Sequence, residues 1–78
     1  MSGAVVKILS TTNERNRVLI VQRDDGCFEL VVQRFYRTEM EKGPPVETWA
    51  RMPSPNNIYQ TVEIAEREAR ANPHLEVV

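Results

Sequence analysis

Residues 17–37, RVLIVQRDDGCFELVVQRFYR, decide how this chain folds. Two runs rich in β-branched and aromatic residues flank Asp24-Asp25-Gly26, which is the pattern of a β-hairpin. With Asp25-Gly26 at the centre of a two-residue type I′ turn, Arg23 faces Phe28, Val21 faces Leu30 and Leu19 faces Val32. Those six side chains share one largely apolar side, and that is the side expected to meet a helix. The other side pairs Gln22 with Glu29, Ile20 with Val31 and Val18 with Gln33, and Phe35 continues it. A single helix covers only one side of a sheet, so Ile20, Val31 and Phe35 form the expected interaction surface.

Upstream, AVVKIL (4–9) reads as a short strand with Val6 and Ile8 on one face and Val5, Lys7 and Leu9 on the other. The polar STTNERN that follows suits a turn. Downstream, Gly43, Pro44 and Pro45 interrupt the strand pattern. VETWAR (46–51) then supplies a third antiparallel strand, with the face that holds Trp49 left open. Pro53 and Pro55 end it, because neither can donate a ladder hydrogen bond.

The period changes after residue 57. Ile58, Val62, Ala65 and Ala69 recur by four, three and four residues, the spacing of one helix side. Ile64 and Ala71 widen that apolar sector. Glu63–Arg67 and Glu66–Arg70 have favourable i,i+4 spacing on the opposite side. Two caps compete: Asn57 with Gln60 matches a capping box, and Thr61 places Glu63 in the first turn. Thr61 is the preferred one. Asn72-Pro73 ends the helix, with Asn72 suited to a left-handed exit. HLEVV is then either a loose tail or a short edge strand.

The expected architecture is therefore a single α+β domain: a three- or four-stranded antiparallel sheet with one C-terminal helix, around residues 61–72, on one face. The core spans about residues 17–71, with 1–16 adding a strand and turn and 73–78 a tail. The layout resembles small bacterial β-β-β-α modules of the DUF1508 type, through DDGCFELVV, the strand ending in TWAR, and IYQTVEIAEREA. It departs from them in lacking an Asn-Gly turn and a Ser-Lys pair before the helix, and in its longer RTEMEKGPPVE connection. The resemblance implies a fold and no catalytic residues.

Composition narrows the function. The chain has 78 residues, 41% of them hydrophobic and 27% charged, so it suits one globular domain and not a disordered tail. Its stability is expected at about 4–12 kcal/mol, small enough for a second subunit to matter. Ten basic residues against eleven acidic ones give a net charge of −1, which removes the broad cationic field of a strong nucleic-acid binder. MSGAVVKILS has no secretory pattern and no apolar run approaches a bilayer span, so the expected setting is cytoplasmic, without a membrane partner.

Catalytic and metal chemistry lack their usual residue sets. His74, the one histidine, adjoins Pro73 near the end of the sequence and reads as a solvated side chain. Cys27 follows the hairpin turn among Asp24, Asp25 and Glu29 and reads as a structural or incidental thiol. The two together do not make an ordinary zinc site. Asp24 and Asp25 read as turn residues, and the helix glutamates have arginine partners. No Ser-His-acid set and no glycine-rich phosphate loop occurs. No enzyme activity and no cofactor is expected.

The leading expectation is a structural or protein-interaction module whose partner is a second copy of itself or another protein. The alternative is weak single-stranded nucleic-acid binding. Arg17, Arg34, Tyr36, Arg37, Trp49 and Arg51 supply the arginine and aromatic types that grip phosphates and stack bases. Alternation puts Arg34 and Tyr36 on one face and Phe35 and Arg37 on the other, so they do not all share one platform.

Overall fold

Four strands, β1 (Ala4–Ser10), β2 (Asn16–Gln22), β3 (Phe28–Thr38) and β4 (Val46–Arg51), form an antiparallel meander in chain order. The computed structural model describes residues 3–78; residues 1 and 2 of the single-domain reading lie outside the described residues. A two-residue strand, β5 (Ile58–Tyr59), pairs with the start of β3, and helix α1 (Val62–Ala71) packs on one face of the sheet. The α+β architecture expected above is the one observed.

The hairpin register differs by one residue from the expected one. Arg23 pairs with Cys27: its N–H donates to the Cys27 carbonyl at 2.7 Å, leaving a three-residue loop of Asp24, Asp25 and Gly26. Gly26 N–H donates to the Arg23 carbonyl at 3.1 Å, and Gly26 takes φ of +84°. This is a β-turn closed by a left-handed residue, the three-residue solution for a hairpin, and glycine adopts it without a Cβ penalty. The Asp25 carboxylate accepts the Cys27 N–H at 3.0 Å and braces the loop.

The shifted register sets Ile20 opposite Leu30, Leu19 opposite Val31 and Val18 opposite Val32. A slip of one residue moves every side chain of a strand to the other face. Ile20 and Val18, expected on the bare side, are therefore fully buried beneath the helix with Leu30, Leu9, Ala65 and Ala69. Leu19 and Val21, expected beneath the helix, lie on the opposite face with Val31. The faces of β3 are as the alternation predicts, and those of β2 are inverted.

In β1 the pairing shifts between Val5 and Lys7, a bulge that puts Val5 and Ile8 on one face and Lys7 and Leu9 on the other. Leu9 enters the core, while Lys7 reaches Glu66 on the helix. Gly3 allows the start of this edge to lie against β2, since a Cβ there would sit 1.6 Å from the Gln22 carbonyl oxygen. The C-terminal residues are no loose tail. Thr11 bridges Val77, Thr12 N–H donates to Glu76 O at 2.9 Å, and Val78 N–H donates to Ser10 O at 3.0 Å. Leu75 and Val77 pack against the core, so this segment covers one end of the β1 edge.

Proline breaks the far edge of β3 as expected. β4 pairs along Gln33–Thr38 and β5 along Phe28–Glu29, with Met52, Pro53, Ser54 and Pro55 between them. The break still satisfies the ladder: Val32 O accepts Met52 N–H at 2.8 Å, and Val32 N–H donates to Ser54 Oγ at 2.9 Å. A side-chain hydroxyl thus replaces the carbonyl that a continuous strand would present.

The helix is capped by Thr61, whose Oγ1 accepts the Ile64 N–H at 3.1 Å. Thr61→Ala is expected to lower stability by about 1 kcal/mol in urea denaturation, and Asn57→Ala by far less. Ile58 does not extend the buried helix side. It belongs to β5, pairs with Glu29 and is half exposed, whereas its neighbour Tyr59 packs on the core. Ala65 and Ala69 are fully buried, their small side chains lying directly against the core cluster. Asn72 leaves the helix in an extended conformation, φ −88°, and not in the left-handed one.

Glu66 joins helix to sheet. It accepts from Lys7 of β1 and from Arg70 Nη2 at 2.9 Å, while Arg70 Nη1 also donates to Val78 O at 2.6 Å. Glu63 and Arg67 form no such ion pair among the described residues. Hydrogen bonds from Lys7 and then Arg70 hold the Glu66 carboxyl below its ordinary value of 4.5. A carboxyl whose folded value is depressed stabilises the fold above its unfolded value and loses that contribution as pH falls through the folded one. Glu66→Gln is therefore expected to be less stable than the parent at neutral pH, with the gap closing below about pH 4.5 in denaturation series.

Candidate interaction face

The helix covers the side of the sheet that carries Leu9, Val18, Ile20 and Leu30, and leaves the other side bare. Pairing arranges the bare side in rows across the strands. Val5, Val21, Glu29 and Ile58 make one row; Ile8, Leu19 and Val31 make the next. Ser10, Arg17, Gln33 and Arg51 follow, then Phe35 with Trp49, and finally Arg37 with Glu47.

Two halves with different chemistry result. The first is an apolar floor of Leu19, Val21 and Val31, each less than a tenth exposed, edged by Val5, Ile8 and Ile58, each more than half exposed. A groove of about 590 Å³ lies over this floor, between charged groups of both signs. Arg23 stands 3.4 Å from Asp25 and 3.5 Å from Glu29 at one end, though its buried Nε makes no hydrogen bond. Arg51 and Gln33 close the other end.

The second half is an arginine–aromatic cluster. The Arg17 guanidinium lies 4.0 Å from the centre of the Trp49 ring and its Nε donates to Gln33 Oε1 at 2.8 Å. Phe35 meets Trp49 edge-on, with ring centres 5.4 Å apart. Such a stack holds both rings and the guanidinium in one geometry. Arg37 is paired with Glu39 at 3.2 Å.

The residues expected to interact are thus divided by the register. Val31 and Phe35 do lie on the bare side; Ile20 does not, because the three-residue loop turns it into the core. Of the six expected nucleic-acid contacts, Arg17, Arg37, Trp49 and Arg51 share the bare side, whereas Arg34 and Tyr36 lie on the helix side. Trp49 is placed by its pairing with Phe35. Val5, Ile8, Leu19, Val21 and Ile58 were not expected there. Counting three loop residues instead of two was the signal that would have found Leu19 and Val21.

β3 runs four residues past its last pair with β2; Phe35 N–H still donates to Arg15 O at 2.6 Å, and Tyr36–Thr38 with the facing part of β4 project as a two-stranded arm. The radius of gyration, 14.1 Å, exceeds the roughly 11.5 Å of a compact chain of this length, as that arm requires. Among the described residues no group of three or more His, Cys, Asp or Glu side chains is placed to hold a metal ion. No helix there is long and apolar enough to cross a membrane. Comparison with family models, with curated proteins and with solved structures returned no match for this chain.

Proposed function

We propose that this chain is a non-enzymatic interaction module that pairs with a second copy through the bare side of its sheet. The observation that carries this reading is the apolar floor of Leu19, Val21 and Val31 continued by exposed Val5, Ile8 and Ile58. A two-fold interface brings the same patch from each subunit together and needs that patch to complement itself. Arg23 and Arg51 edge the groove together with Asp24, Asp25 and Glu29, so a copy turned through 180° can set arginine against carboxylate. The net charge of −1 opposes association little.

Size bounds the affinity. Four strands at about 4.8 Å and seven residues at about 3.3 Å give a face of roughly 19 by 23 Å. That is about 440 Å² in projection for each subunit and roughly 880 Å² for the pair, below the about 1,200 Å² of stable interfaces and in the range of weak, transient ones, so a dissociation constant of about 1–100 μM is expected. Sedimentation equilibrium across that concentration range tests this. A mass rising toward twice 9.0 kDa supports self-association, and a constant 9.0 kDa up to millimolar chain contradicts it.

A second reading, weak single-stranded nucleic-acid binding, is favoured by one observation: Arg17, Arg51, Phe35 and Trp49 lie together on the same side. It expects salt-sensitive amide shifts around Trp49 on adding an oligonucleotide, weakened by Arg51→Ala. An unchanged spectrum at low salt rejects it.

A further inference from the structure

The helix side of the sheet has its own groove, of about 400 Å³, between the proline break and the segment that follows α1. Val32, Met52, Pro55 and Leu75 give it apolar walls, and Arg34 and His74 stand at its edge. No Asp or Glu lines it, in a chain that contains eleven. Arg34 forms no ion pair among the described residues, a property it shares with Arg15, Arg17, Arg51 and Arg67, but of these five arginines it alone lines this groove. Arg34 is exposed, and the Tyr36 ring centre lies 6.0 Å from its guanidinium carbon.

We propose that this groove binds a small organic oxyanion, a carboxylate or a phosphate monoester on a flat apolar group, with Arg34 as its anchor. A guanidinium presents two parallel N–H groups to such an oxyanion, and the apolar walls cover the body attached to it. The volume is at the lower end of ligand sites and suits a single ring. Ser54 serves only as wall, because its hydroxyl already accepts from Val32 N–H and donates to Met52 O at 2.9 Å. The C-terminal end of α1 borders the groove at Asn72, and its dipole disfavours an anion. That effect comes from partial charges at the last turn, whereas Arg34 offers a full charge with paired N–H donors, so Arg34 prevails.

The test is a titration of the intact chain with benzoate, phenyl phosphate and benzyl alcohol, followed through backbone amide resonances. Both anions are expected to shift Val32, Ser54 and Leu75 saturably, at about millimolar affinity, and the alcohol to bind at least about tenfold more weakly. Arg34→Gln should weaken the anions by about tenfold or more, while Arg37→Gln, outside the groove, leaves them unchanged. Equal binding of benzyl alcohol overturns the proposal without any variant. Equal losses from the two variants, or shifts spread over the bare side, also overturn it, since they signify diffuse attraction to arginines.

Discussion

Replacing Ile20 by alanine should lower stability by about 2–5 kcal/mol, a large share of the roughly 4–12 kcal/mol a chain of this length has. The side chain is fully buried between Leu30, Val18 and the helix, so truncation removes contact on every side and leaves a cavity. Small residues above it limit collapse, because the methyl groups of Ala65 and Ala69 are too short to swing into the space. Ile8→Ala is the matched control. It removes the same atoms from a side chain 56% exposed and should cost well under 1 kcal/mol. Urea denaturation of both variants measures the difference. Equal, small losses would mean that Ile20 faces solvent, as a two-residue turn would have it.

Ile8→Lys should leave the fold intact and weaken self-association by at least about tenfold. Ile8 lies in one row with Leu19 and Val31 in the apolar half of the bare face, so a two-fold partner would set its charge against apolar surface. Being on an edge strand and more than half exposed, it can carry a lysine with little effect on the monomer. Sedimentation of the variant beside the parent, with the denaturation midpoint as a check on folding, measures this. A variant that associates as tightly as the parent would place the contact elsewhere, with the free edge of β4 and the projecting arm the next surfaces to test.

Much of the fold is legible in the residues, and the errors have one principal origin. The change from alternation to helical spacing locates α1, Thr61 caps it, and Pro53 and Pro55 break the edge where expected. The faces of β3 follow from Phe28, Leu30 and Val32 alternating with Glu29 and Gln33. β2 offers no such contrast: Val18, Leu19, Ile20 and Val21 are all apolar, so the run allows either face inward. Its facing then depends wholly on the turn, and Asp24-Asp25-Gly26 suits both a two-residue and a three-residue loop. One misplaced residue there exchanged Ile20 for Leu19.

Ile58 departs from the helical pattern for a different reason. Its spacing from Val62 is helical, yet Thr61 starts the helix after it, and pairing with Glu29 claims it for the sheet. The candidate site was legible to the extent that β3 and β4 supply it, through Val31, Phe35, Trp49 and Arg51. The contributions of β1 were hidden by a bulge between Val5 and Lys7, for which alternation gives no warning.

Isotope-filtered methyl contacts in a mixture of labelled and unlabelled chain test the interface most directly. Intermolecular contacts are expected among Val5, Ile8, Leu19, Val31 and Ile58, and not from Ala65 or Ala69 beneath the helix. Their absence at concentrations where the mass has doubled, or contacts confined to the helix side or the arm, would contradict pairing through the bare face of the sheet.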